Sequence, residues 1–174
     1  MNSRTILTSI IYIIVFNALQ ILFMRQLDLF GLAFCFCYIG TVVLMPIKIN
    51  PAWPMLAGFA FGLVLDFFQD TQGLHAAAGV LTGYLRIFSL NFNTPPGGYE
   101  DYMEPTVYSM GVPWYLGYTL PLLFVHHLFL FLIEYAGVGQ FLMAIIKTIF
   151  SMIFTIAVLM LVQAATANSK QLKK

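Results

Sequence analysis

The chain has 174 residues, 60% of them hydrophobic and 9% charged, with a net charge of +1 and a mean hydropathy of +0.87. Such a balance excludes a soluble domain clothed in charge and points to a single-domain integral membrane protein. With no run of Lys and Arg interleaved with aromatics, it also excludes a nucleic-acid binder.

Spans follow from length, since a helix needs about 20 mostly apolar residues to cross about 30 Å of hydrocarbon. The first predicted span, 5–24, follows Arg4 and runs past Asn17 and Gln20 without a small-x-small cleavage site. It therefore reads as a retained span rather than a signal peptide, with its two amides expected to face other helices. A polar joint at 25–28 leads to a second span, 29–45, ended by Pro46 and Lys48. Cys35 and Cys37, at i, i+2 of that span, face different directions and imply neither a disulfide nor a zinc site. In the turn IKINPAWP, Trp53 is an interfacial aromatic and Pro54 opens a third span, 54–68. This span is only about 22 Å long at 1.5 Å per residue, and the fourth, 74–90, is little longer. Two readings of the shortness stand. The helices cross a locally thinned bilayer, which the charged groups at their ends favour, or they are re-entrant halves.

The polar loop at 91–112, NFNTPPGGYEDYMEPTVYSMGV, is broken by Pro95, Pro96, Gly97 and Gly98. Glu100, Asp101 and Glu104 make it acidic, while Tyr99, Tyr102, Met103 and Tyr108 suit the headgroup region. It is expected to be an interfacial loop or a docking site for a basic partner. A fifth span, 114–135, contains Pro121 as an expected kink. After a turn at 137–140 comes a sixth span, 141–164, and the basic tail NSKQLKK. Six crossings put both termini on one side. If that side is cytoplasmic, Arg4, Lys48, Arg86, Lys170, Lys173 and Lys174 lie inside and Arg25 and Lys147 outside, as the positive-inside rule requires.

The residues from Pro54 to Arg86 organise this reading. Gly58, Gly62 and Asp66 recur at i, i+4, i+8, as do His75, Gly79 and Gly83. At 3.6 residues per turn each triplet lies on one helix face, and glycine faces let two backbones approach closely in lipid. An antiparallel hairpin turning at 69–73, through Gly73, then brings Asp66 and His75 to one outward corner, where they share a proton or hydrogen bond. Asp66 is a candidate for partner recognition or for holding the turn. A second intramembrane group, His126, His127, Glu134 and Lys147, is expected to bind the fifth and sixth spans together; adjacent histidines point about 100° apart and do not readily hold one ion. No metal or cofactor is expected. The sequence has no HExxH, GxSxG or GxxxxGK[ST], and Ser89, Ser109 and Ser151 have no neighbouring base, so the chain is not expected to be an enzyme.

The run GFAFGLVLDFFQDTQGLHAAAGVLTGYLR, Gly58 to Arg86, resembles the signature hairpin of the rod shape-determining MreD family. PPGGYE, SMGVPWYLGY and the HH pair are similar to the form found in Bacteroidota. The resemblance covers nearly the whole chain and is specific around Asp66, Gly73, Leu74, His75 and Arg86. It implies an all-α polytopic fold of about six transmembrane helices, similar to the substrate-binding subunits of energy-coupling-factor transporters. It also implies a non-enzymatic scaffold of the bacterial inner membrane, with both termini cytoplasmic. Expected partners are a bitopic MreC-like protein, MreB, RodA, a penicillin-binding protein and membrane lipid. The competing expectation is a small-solute-binding or transport subunit with the same fold.

Overall fold

The structure is a computed structural model that describes residues 3–24, 27–101, 103–136 and 139–166. Arg25, Tyr102, Gly137 and the basic tail lie outside the described residues, as does the side chain of Arg4. Helix α1 (Ser3–Leu19) widens into a π-helical turn (Gln20–Met24). Strands β1 (Asp28–Leu29) and β2 (Ala33–Phe34) form a small antiparallel hairpin in which Asp28 faces Phe34. A 3₁₀ turn (Cys37–Ile39) continues into the single-turn α2 (Gly40–Val43). The remaining helices are α3 (Ala52–Gln69), α4 (Leu74–Phe92), the short α5 (Val107–Met110), α6 (Val112–Glu134) and α7 (Phe141–Thr166).

Helices α3, α6 and α7 are long and apolar enough to cross a membrane. Their outward positions carry large apolar side chains, among them Phe67 at 84% exposure and Leu161 at 69%. Such exposure is unfavourable in water and natural in lipid. Helix α4 is of similar length, but its inner face holds His75, Gly79, Thr82, Gly83 and Arg86, all buried. It reads as less apolar because its polar residues serve the interior.

The expected second helix at 29–45 does not form. Phe30 and Gly31 both take left-handed φ values, 57° and 67°, and turn the chain back on itself as the β-hairpin. Beyond it, every residue from Cys35 to Ile47 is buried. Irregular backbone at membrane depth is stable only where protein surrounds it and supplies hydrogen-bond partners, and the neighbouring helices supply them here. The N–H of Phe34 donates to Ser151 Oγ at 2.9 Å, that of Phe36 to Thr155 Oγ1 at 3.1 Å, and that of Tyr38 to Gln20 Oε1 at 3.3 Å. The spacing explains why one helix can serve two of these donors. Alternate residues of an extended chain are about 6.6 Å apart, and residues i, i+4 of a helix about 6 Å. Ser151 and Thr155 thus act as a ladder partner built from side chains.

This buried segment descends the bundle antiparallel to α6. Phe34 packs on Phe131, with ring centroids 5.9 Å apart; Tyr38 reaches His126; and the carbonyl of Val43 accepts from Tyr118 Oη at 2.8 Å. At the far end, Arg86 Nη2 donates to the carbonyls of Met45 and Pro46 at 2.6 and 3.2 Å. The amides expected to face inward do so, for Asn17 Nδ2 donates to Thr41 Oγ1 at 2.9 Å.

A test follows from the ladder. Thr155→Val removes the acceptor of the Phe36 N–H at nearly constant volume, as well as the hydroxyl that bonds His127, and is expected to cost about 2 kcal/mol. Ser151→Ala strands only the Phe34 N–H and should cost about half as much, about 1 kcal/mol. Unfolding in bicelles measures both, and wild-type stability of the two variants would argue against the ladder.

Candidate functional site

The two glycine faces are in contact. A Cβ placed on Gly58 would overlap the carbonyl of Gly79, and one on Gly79 the carbonyl of Gly58. At Gly62 it would collide with the carbonyl of His75 and come within 2.6 Å of the Ala76 Cα. At Gly83 it would lie 2.7 Å from the Met55 nitrogen. Along the whole pair, α3 and α4 touch backbone to backbone, a separation open only to glycine at those positions.

The turn that joins them is closed by Asp66. Helix α3 ends in Asp70 and α4 is preceded by Gly73, both left-handed with φ of 57° and 89°. The first N–H groups of a helix have no partner within it, and here the Asp66 carboxylate supplies one from the neighbouring helix. Its Oδ1 accepts from the His75 N–H at 2.9 Å, and its Oδ2 from the Ala76 N–H at 2.9 Å. Oδ1 also accepts from Thr71 Oγ1 at 2.6 Å and lies 2.9 Å from His75 Nδ1. An ionised carboxylate only accepts, so Nδ1 carries the imidazole proton and points it at Asp66. The negative side chain also sits at the positive end of the α4 dipole. Asp66 is 5% exposed and His75 3%.

From this corner a polar chain runs inward. Tyr38 Oη lies 3.1 Å from the carbonyl of His75 and 2.8 Å from His126 Nε2. A phenol has one proton, which goes to the carbonyl, so His126 donates to Tyr38 from Nε2 and its buried Nδ1 is left without a partner. His127 directs Nδ1 at the Leu123 carbonyl at 2.7 Å and accepts from Thr155 through Nε2 at 3.1 Å. The group His126, His127, Glu134 and Lys147 is therefore divided. The histidines face Tyr38 and Thr155, whereas Lys147 Nζ lies 4.0 Å from Glu134 Oε1 and 4.9 Å from the centroids of both Phe34 and Tyr135. Those rings stabilise the ammonium as a cation–π cage. Among the described residues, no three His, Cys, Asp or Glu side chains come together as ligands for one metal ion.

In the loop, Asp101 pairs with Lys48 at 2.7 Å, and Lys48 holds its carboxyl below the ordinary carboxylate range. Asp101 is thus committed within the chain. The Glu100 backbone N–H rests on Met103 Sδ and that of Glu104 on Ser109 Oγ.

Sequence reasoning missed Tyr38, Thr71, Ser151 and Thr155. The last two were visible as a pattern, because Lys147, Ser151, Thr155 and Gln163 lie at multiples of four along a largely apolar helix and all are buried. Such a stripe marks a face turned away from lipid. No family model, curated protein or solved structure matches the chain.

Proposed function

We propose that the chain is a non-enzymatic scaffold of the MreD type in a bacterial inner membrane, with both termini cytoplasmic, and that the clasped α3–α4 hairpin is its presenting element. The observation carrying this reading is an apolar trough of about 640 Å³ along the hairpin and bordered by Phe129 of α6, formed in part by Phe59, Leu63, Ala77, Val80 and Tyr84. The glycine contacts hold together the two helices that carry most of its wall, and Asp66 closes the turn between them. Flanking large side chains with small ones between them form the surface into which a partner helix packs in lipid. The occupant in this reading is the transmembrane segment of a bitopic MreC-like protein. The acidic loop at 91–112 is, in the same reading, the surface that meets a cytoplasmic partner such as MreB, with RodA and a penicillin-binding protein in the same assembly.

The test is detergent pull-down from native membranes. Ala77 is exposed in the trough, and Ala77→Trp fills it without entering the clasp. The bitopic partner is expected with the wild-type chain and with the control Leu161→Trp on α7, and to be lost with Ala77→Trp. Equal recovery from all three would overturn the reading.

A second reading, a solute-binding subunit, draws on a different cavity of about 250 Å³. Gln20, Gln69, Thr71, His75 and Glu134 line it in part, giving convergent polar groups at the Asp66 corner.

A further inference from the structure

Arg86 is 3% exposed, yet among the described residues no carboxylate lies within ion-pairing distance of it. Its Nη2 is taken by the Met45 and Pro46 carbonyls, while its Nε is buried and has no hydrogen-bond partner. A guanidinium out of water with neither a counter-ion nor a full set of acceptors is costly to hold. Arg86 lines a cavity of about 280 Å³ whose wall also includes Lys48, Asn91 and Tyr99, with Ile49 and Ile87 as apolar flanks. Pro51 and Pro54, from the start of α3, complete one side, so the positive end of that helix dipole faces the same space. Asp101 answers Lys48 from outside the bundle, whereas among the described residues no carboxylate pairs with Arg86. Trp53, 59% exposed, sits on the first turn of α3 at this level, the position of aromatics at the headgroup boundary.

We infer that this cavity is a binding site for a phosphate-bearing anion. The Arg86 guanidinium and the Lys48 ammonium, both on the cavity wall, supply its positive charge, and the isoleucine flanks accommodate apolar substituents of the ligand. Two sources share this chemistry: the headgroup of an anionic phospholipid and a free phosphate. The inference is independent of the trough, with which this cavity shares no lining residue.

The test uses the full chain in neutral detergent, titrated calorimetrically with dihexanoyl phosphatidylglycerol and, separately, with inorganic phosphate. Saturable binding of the lipid alone assigns a headgroup, and equal binding of inorganic phosphate assigns the free anion; either supports the site. Arg86→Gln is expected to weaken binding about tenfold or more. Because Arg86 also holds the Met45 and Pro46 carbonyls, that variant can fail to fold. Ile87→Trp retains both cations and fills the cavity, and it should lose binding while folding normally. Saturation by neither probe, or affinity unchanged in a folded Ile87→Trp, would overturn the inference.

Discussion

Asp66→Ala is expected to destabilise the protein by about 3–5 kcal/mol, the largest effect of any single side-chain truncation in the chain. The change strands two backbone N–H groups on the first turn of α4, the Thr71 hydroxyl and the His75 Nδ1–H, all of which now converge on one carboxylate. Water does not readily take its place, because both Asp66 and His75 are buried. Asp66→Asn should cost less, about 2 kcal/mol, since one oxygen remains to accept while the new amide donors oppose the N–H groups they meet. Thr71→Val, which removes one of the four donors and leaves the helix cap intact, should be the mildest of the three. Equilibrium unfolding in bicelles measures the order, and the account requires Asp66→Ala, Asp66→Asn, Thr71→Val from most to least destabilising.

Gly58→Ala is expected to force α3 and α4 apart, because the added methyl meets the Gly79 carbonyl, and backbone cannot swing aside as a long side chain can. Overpacking of this kind costs about 1–3 kcal/mol where the surroundings give way partly. Gly62→Leu brings a larger side chain against His75 and Ala76, displaces the two N–H donors from Asp66, and should abolish partner recovery while leaving membrane insertion intact. Gly97→Ala is the matched control. It too adds a methyl to a glycine, but nothing lies within 4 Å of that position, so only its positive φ of 95° is disturbed. Bilayer thermal denaturation should separate Gly58→Ala from Gly97→Ala clearly, and equal melting of the two would show that the close approach has no energetic weight.

These two results bear on how much of the molecule was legible in its sequence. The hairpin could be read because its signal is local. Glycines at i, i+4 define a helix face without reference to the rest of the chain, and Asp66 and His75 bracket a turn too short to separate them. The extent of α6 and the start of α7 were legible for the related reason that apolar length alone sets them, and the two helices begin at Val112 and Phe141.

The segment at 29–45 was misread because apolar composition does not distinguish a lipid-facing helix from irregular chain enclosed by helices. The deciding information lay outside the segment, in the hydroxyls of Ser151 and Thr155 more than 100 residues away and in Gln20 on the π-helical turn. The polar residues of the fifth and sixth spans meet in two separate contacts between α6 and α7 rather than in one group, for a similar reason. His127 and Glu134 are seven residues apart on one face, but Tyr38 and Thr155 draw the histidines inward while the rings of Phe34 and Tyr135 hold Lys147 near Glu134. The role of Arg86 was hidden too, since neither the carbonyls it holds nor the cavity beside it leaves a mark in the local sequence.

The carboxylate cap on α4 is the feature on which the hairpin, the trough and the corner all depend. Solid-state NMR in lipid bilayers reads it directly, by rotational-echo dephasing between ¹³Cγ of Asp66 and the backbone ¹⁵N of His75 and Ala76. Dephasing from both nitrogens at hydrogen-bonded range, lost from both in Gly62→Leu, is the expected result. Dephasing from neither nitrogen in the wild-type protein would contradict the cap, and with it the rigid hairpin as a presenting surface.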